Sequence, residues 1–346
     1  MTAVPEAAGP LLSVQGLARS FRASRSVLGG GARREVRAVE DVSFGLSRGE
    51  TLALVGESGS GKSTTARLIL RLLAPDRGSV TFDGRDWLSL PAPELRRARR
   101  DLGVVFQDPG SSLDPRLSVG AVVGEPLAIH RVGNPAERRD RVRGLLRAVG
   151  LPEETLGRRP GELSVGQRQR VAVARALATS PKLVVLDEPV SALDVSIRAQ
   201  VLNLLLELQE TTPSRPAYLF IGHDLGVVRH LADRTAVMYL GRIVEEGPTS
   251  EVLDSPRHPY TALLLASRPG LPAGRDPLAA RRRQVAGEPA SPTDPPPGCP
   301  FHPRCPRAGR RCRSERPGET REPDDRRYAC HDPEPPGPGN FFSGTS

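Results

Sequence analysis

The stretch Thr51-Leu52-Ala53-Leu54-Val55-Gly56-Glu57-Ser58-Gly59-Ser60-Gly61-Lys62-Ser63 decides the fold. Residues 51–55 read as an apolar run bounded by glycines, the pattern of a strand buried on both faces of a parallel sheet. Residues 56–63 then match G-x-x-x-x-G-K-[ST]. Glycines at these places let the backbone curl so that its N–H groups face phosphate oxygens, and a helix start behind them adds a favourable dipole. Residues 63–73 carry helical spacing that stops before Ala74-Pro75. With a strand before it and a helix after it, the segment reads as a phosphate-binding turn rather than a chance glycine cluster. Lys62 is expected to reach the outer phosphates of a nucleotide and the Ser63 hydroxyl to coordinate Mg²⁺, an ion that prefers hard oxygen ligands. The lining is expected to be Gly56, Glu57, Ser58, Gly59, Ser60, Gly61, Lys62, Ser63 and Thr64.

Outward from this segment, Lys182-Leu183-Val184-Val185-Leu186 is a second buried strand. It ends in Asp187-Glu188. Asp187 is placed to hold Mg²⁺, and Glu188 to orient or deprotonate the attacking water. A helix is predicted over 195–209, with Val201, Leu204, Leu205 and Leu208 on its apolar face. A third strand is predicted over 217–221. Strands alternating with helices indicate an α/β fold with a mostly parallel sheet. Nearer the N-terminus, 11–14 starts a strand, 24–34 is a Gly/Ser/Arg-rich exposed loop, and 39–46 is a strand ending at Arg48-Gly49-Glu50. Residues 111–161 are mostly helical in pattern and interrupt the sheet. Beyond 269, Pro, Gly, Arg and Cys dominate without a long periodic segment.

Composition narrows the partners. The chain has 346 residues and a net charge of +9, supplied mostly by arginine. Runs such as 96–100 and 281–283 read as solvated faces, because no aromatic residues interleave with them as a nucleic-acid stacking platform requires. No apolar run approaches the ~18 residues that span a bilayer. Met1–Pro10 lacks a charged region followed by an apolar one, so it reads as a loose tail rather than a secretory signal. These features point to a cytosolic chain that meets a membrane only through partners.

Leu163-Ser164-Val165-Gly166-Gln167, followed by Arg168-Gln169-Arg170, resembles the signature sequence of ABC ATPases, with Val165 where that family usually has glycine. Other elements of the same family follow in order. Gln107 resembles the glutamine of the loop that touches Mg²⁺ or water and senses a transporter partner. Ser191-Ala192-Leu193-Asp194 resembles the loop that crosses the dimer interface, and His223 the switch histidine that bonds the γ-phosphate. Phe21 matches the aromatic that stacks on adenine; a plain core phenylalanine is the alternative. The resemblance implies a P-loop NTPase core in which two subunits sandwich ATP. Ser164, Gly166 and Gln167 of one subunit would then face the nucleotide of the other. Since the loop is in place at Ser164 and Gly166, Val165 is expected to need no positive φ.

Residues 107–116, 237–247 and 258–264 are similar to segments of the oligopeptide/dipeptide importer ATPases. That similarity implies a nucleotide-binding domain over 11–257, with a helical subdomain at about 108–168. A C-terminal extension over 258–335 and a tail over 336–346 would follow. It implies ATP and Mg²⁺ as ligands, a second and different ATPase subunit, two membrane permeases and an extracytoplasmic solute-binding protein. The chain would sit on the cytoplasmic face of the membrane and would not bind nucleic acid. Three rivals stand beside this reading: a non-transport ABC ATPase of DNA repair or translation, a P-loop kinase, and an importer of nickel or another small solute. A repair ATPase would insert a long coiled coil, and a translation ATPase would carry two cassettes. A P-loop kinase would not need 163–167.

The cysteines Cys299, Cys305, Cys312 and Cys330 are spaced C-x5-C-x6-C-x17-C. They fall in a polar, proline-rich region that looks too poor in apolar residues to hold itself together without a staple. A cytosolic setting argues against disulfides. Spacing alone leaves zinc and an iron–sulfur cluster level, with His302 and His331 as substitute ligands. The resemblance implies a [4Fe-4S] cluster, with Zn²⁺ as the alternative.

Overall fold

The computed structural model describes residues 9–22, 35–191, 193–267 and 290–335. The expectations for the tails, for the loop 24–34 and for Arg281–Arg283 fall on residues outside these, wholly or nearly so. The chain divides into two compact units, one built on Gly45–Thr51 and Thr81–Ile221, the other on Val14–Phe44, Leu52–Val80 and the chain from Gly222.

The first unit carries three parallel strands, Leu102–Val105, Leu183–Asp187 and Ala217–Gly222. Every residue of the latter two is buried, which is why they read as unbroken apolar runs instead of alternating ones. Helix Val165–Leu177 packs on strand Leu102–Val105, and helices Val119–Ile129 and Pro135–Ala148 pack on that helix in turn. Sequence chemistry sets their starts. Ser118 caps one through the Ala121 N–H, and Asn134 with Glu137 forms a capping box on the other. Helix Val195–Thr211 buries Val201, Leu202, Leu204, Leu205 and Leu208, a face wider than its sequence pattern marks.

In the second unit, strand Thr51–Val55 pairs in parallel with Arg234–Tyr239. Strand Arg242–Pro248 then runs antiparallel to Arg234–Tyr239, and the short strands Arg327–Tyr328 and Thr320–Arg321 add antiparallel beyond it. The sheet is therefore mixed, which corrects the expectation of a mostly parallel one. The antiparallel strands leave little mark in the sequence: Tyr239 and Arg242 are joined by a tight turn (Leu240 φ 42°, Gly241 φ 79°), and the last two strands are only 2 residues each.

The chain after Gly247 docks through buried polar groups. The Glu245 carboxylate accepts the N–H groups of Arg257 (2.7 Å) and His258 (2.9 Å), and His258 Nδ1 accepts the Tyr260 N–H (3.0 Å). Both side chains are fully buried, ahead of helix Pro259–Ala266. Burial pushes the Glu245 carboxyl from 4.5 up to about 7, and burial lowers the His258 imidazole from 6.5 to about 3. The two shifts oppose each other. His258 contributes stability that is full above its unfolded value and is lost as pH falls through 6.5 towards 3. Glu245 contributes stability that is full below 4.5 and is lost as pH rises through about 7. Relative to wild type, His258→Asn is expected to make the melting temperature fall with rising pH between 5 and 6.5. Over that window Glu245→Gln is expected to make it rise. Melting curves across that window that move both variants in the same direction would contradict the assignment.

Candidate functional site: a phosphate loop and an acidic strand end

In the second unit the loop after strand Thr51–Val55 turns on three glycines with positive φ: Gly56 (153°), Gly59 (78°) and Gly61 (106°). Gly61 is the N-cap of helix Lys62–Ile69, which has no side-chain cap and no acidic residue in its first turn. A helix start of this kind, with no side chain at its cap and no negative charge in its first turn, is electrostatically suited to phosphate. Lys62 is 5% exposed, and its Nζ donates to the carbonyls of Gly56 (2.8 Å) and Glu57 (2.9 Å). It also reaches Ser60 Oγ at 3.4 Å. The ammonium thus sits at the centre of the loop, with Ser63 and Thr64 half-buried in the helix's first turn.

In the first unit Asp187 ends its strand, buried, and Glu188 follows with φ 47°. A left-handed conformation is costly for a side chain with a Cβ and persists where the surroundings enforce it. Here the Glu188 N–H donates to the Ile221 carbonyl (2.9 Å), and its own carbonyl accepts from Ser191 Oγ (3.1 Å). Gln107 Nε2 donates to Glu188 Oε2 at 3.1 Å, so the carboxylate is aimed by a side chain far away in sequence. Strand Leu183–Asp187 thus ends with Asp187 at its tip and Glu188 turned onto Gln107.

The signature segment begins helix Val165–Leu177. Ser164 and Gln167 form a capping box: Ser164 Oγ accepts the Gln167 N–H (3.2 Å), and the Ser164 N–H donates to Gln167 Oε1 (3.0 Å). Gln167 is thereby engaged with the helix start. Val165 lies in the helix rather than among the positive-φ residues, in line with the sequence expectation. Gly166 has a packing reason invisible in the motif, since a Cβ there would sit 2.8 Å from Ile197 Cγ2. Exposed His223 directly follows strand Ala217–Gly222, and Asp224 caps the next helix through the N–H groups of Gly226 and Val227. Phe21 is half-buried, with the Arg19 guanidinium 5.2 Å from its ring centroid. Ala192, within the expected interface loop, lies outside the described residues.

Residues 39–191 match the family described as ABC transporter, and 244–312 match the oligopeptide/dipeptide transporter C-terminal region. A probable peptide ABC transporter ATP-binding protein of Sinorhizobium fredii is 52% identical over 86% of this chain and 82% of its own length. The chain belongs to the oligopeptide/dipeptide family of ABC transporter ATP-binding proteins. Its members are transport-coupled ATPases, and so is this chain. The di/tripeptide transport ATP-binding protein of Pseudomonas aeruginosa is 47% identical, covering 93% of this chain and 97% of that one. Among solved structures, a dimeric ATP-binding cassette in a post-hydrolysis state with ADP and phosphate matches at 30% identity and TM-score 0.60. That match covers 69% of this chain and 98% of the cassette.

The expected metal site is not borne out. Among the described residues no group of three or more His, Cys, Asp or Glu is arranged to hold a metal ion, and the matched ABC family is not an iron–sulfur one. Cys299, Cys305, Cys312 and Cys330 line one small cavity as free thiols. Burial pushes Cys305 up to about 11 and Cys330 up to about 12, so the free thiols stay protonated. His302 Nδ1 lies against the Cys299 carbonyl and His331 Nε2 against the Glu315 carbonyl, each at 3.0 Å. The region has a core after all. Phe301 packs edge-on against Tyr239 and Tyr260, both ring centroids 5.4 Å away, and Tyr328 adds a strand opposite Glu245. The region is held by aromatic packing, strand addition and arginine ion pairs.

Proposed function

We propose that this chain is the ATP-hydrolysing subunit of an importer of short peptides. The observation that carries the proposal is the pairing of two features in one chain. One is a helix start capped by Gly61 with Lys62 seated in its glycine loop; the other is Glu188, held in a strained conformation with its carboxylate on Gln107. In this reading Gly56–Ser63 and Thr64 cradle the phosphates, and Lys62 neutralises the outer ones. Glu188 takes the proton of the attacking water, and Gln107 and His223 align that water and the γ-phosphate. Phe21 stacks on adenine. Ser63 and Asp187 offer the hydroxyl and carboxylate oxygens that suit Mg²⁺, which screens the phosphate charge when bound.

Ser164 and the Gly166 N–H complete the site of a second, different ATPase subunit, at a helix start suited to an anion. The dimeric state of the related cassette supports this arrangement. The nucleotide-binding region is taken as 11–257, its helical part as 108–168 and the extension as 258–335. Among the described residues no helix is long and apolar enough to cross a membrane. The chain is assigned to the cytoplasmic face, beneath two permease subunits, with an extracytoplasmic binding protein selecting the solute. The names of the relatives favour di- and tripeptides as that solute.

Affinity purification of the full chain from its native membranes is expected to bring down two permeases and a second ATPase. Reconstituted in vesicles, that complex is expected to take up dipeptide only with ATP. Recovery of ribosomes or DNA in place of permeases, or uptake of nickel and not peptide, would overturn the reading.

A further inference from the structure

One contact in the second unit joins the chain beyond residue 258 to the phosphate loop. Glu57, the second residue of the loop, carries a carboxylate into a segment that receives a polyanion. Arg304 meets that carboxylate with both terminal nitrogens, Nη1 to Oε2 at 2.8 Å and Nη2 to Oε1 at 2.9 Å. The geometry is the planar two-bond match that guanidinium and carboxylate make best. The Arg304 side chain is 9% exposed and that of Glu57 29% exposed, so the pair is partly withdrawn from solvent. Glu57 holds the Arg304 guanidinium above the ordinary arginine range, so it stays charged.

Its neighbours fix it in place. The guanidinium lies 5.8 Å from the Phe301 ring centroid, and Phe301 packs on Tyr260 and Tyr239. Tyr260 makes a second link, because its hydroxyl accepts the Glu57 N–H at 2.9 Å. The second amide of the loop is therefore turned onto Tyr260. The Glu57 carbonyl accepts from Lys62. Side chain, N–H and carbonyl of Glu57 are all held, two of them by residues beyond 258.

We propose that Arg304 and Tyr260 are positioning residues for nucleotide binding: Arg304 cancels the charge of Glu57, and Tyr260 fixes the backbone from which the loop curls. The inference rests on the reading of Gly56–Ser63 as the phosphate site. An unpaired Glu57 carboxylate would repel a triphosphate and be free to reorient the loop, whereas a neutral glutamine there would not repel it.

The test measures binding of a fluorescent ATP analogue with Mg²⁺ to the full chain, alongside melting without nucleotide. Arg304→Gln is expected to weaken affinity roughly tenfold, the scale of a lost charge-assisted pair, with the defect shrinking at high salt. Glu57→Gln sets the reference for a loop without the carboxylate, and adding Arg304→Gln in that background is expected to cost far less affinity than Arg304→Gln costs in the wild type, so that the double variant regains most of the loss. Arg304→Lys, which keeps the charge but loses the two-bond geometry, is expected to fall between. Tyr260→Phe removes a single hydroxyl and is expected to weaken binding a few-fold, so it serves if the arginine variants do not fold. A purely structural role would lower melting without the rescue. The proposal is overturned if Arg304→Gln and Tyr260→Phe both bind within twofold of wild type, or if the double variant is as weak as Arg304→Gln. Lys62→Ala in the same assay separates the two claims: if it binds like wild type, the phosphate-site reading itself fails.

Discussion

Glu188→Gln is expected to keep ATP binding and to cut steady-state hydrolysis by the assembled complex about a hundredfold or more, the contribution of a positioned general base. The substitution is nearly isosteric, so the strained backbone survives, with the Glu188 N–H on Ile221 and its carbonyl on Ser191. The Gln107 amide can still donate to the new amide oxygen, so the side chain stays aimed at the 3.1 Å contact seen for the acid. What is lost is only the capacity to accept a proton. ATP binding by Lys62 and the loop does not draw on that capacity, so affinity is expected to stay within a few-fold. Trapped nucleotide should then appear as ATP, and the subunit pair should stay closed. Wild-type turnover by the purified complex would remove Glu188 from the role of base. Gln107→Ala offers a milder comparison: it removes the aim but leaves the base, so its loss is expected to be smaller.

Why the site was so legible in sequence, and why parts were not, follows from the range of the contacts involved. The phosphate loop is local. Glycines needed for positive φ, the lysine and the hydroxyl residue all lie between Gly56 and Ser63, so one short window carries the chemistry. Asp187 and Glu188 are legible for a similar reason, since they close a strand whose residues are all buried. The Gln107–Glu188 bond and the Arg304–Glu57 pair join residues 81 and 247 positions apart, and no local spacing encodes them. The mixed character of the sheet is not legible, because strands of two residues leave no periodicity to read. The cysteine-rich region looks coreless in sequence because aromatic residues are few in the whole chain. Yet three of them, Tyr239, Tyr260 and Phe301, are brought together by the fold into one buried cluster. Apolar content counted along a segment underestimates a core that borrows its partners from elsewhere in the chain.

Gly61→Ala is expected to abolish useful nucleotide binding, and geometry says why this glycine differs from its neighbour in the same loop. Gly61 has φ 106°, and a Cβ built on it would lie 2.2 Å from the Ala38 carbonyl oxygen and 2.8 Å from Met238 Cε. The methionine end can swing away, but the carbonyl is backbone of strand Glu35–Leu46 and cannot. The loop itself must shift, and with it the start of helix Lys62–Ile69 and the Lys62 ammonium. Strained backbone together with a main-chain clash costs about 3 kcal/mol, or roughly a hundredfold in affinity if the loop relaxes only when empty. Gly59 is the control. Its φ of 78° also disfavours a side chain, but a Cβ there meets nothing within 4 Å. Gly59→Ala therefore carries only the conformational term of ~1 kcal/mol and is expected to weaken binding several-fold. Titration of both variants with the fluorescent nucleotide should rank Gly61→Ala far below Gly59→Ala. Equal affinities would mean that the loop moves freely against the strand Glu35–Leu46, and that the cradle is not preformed.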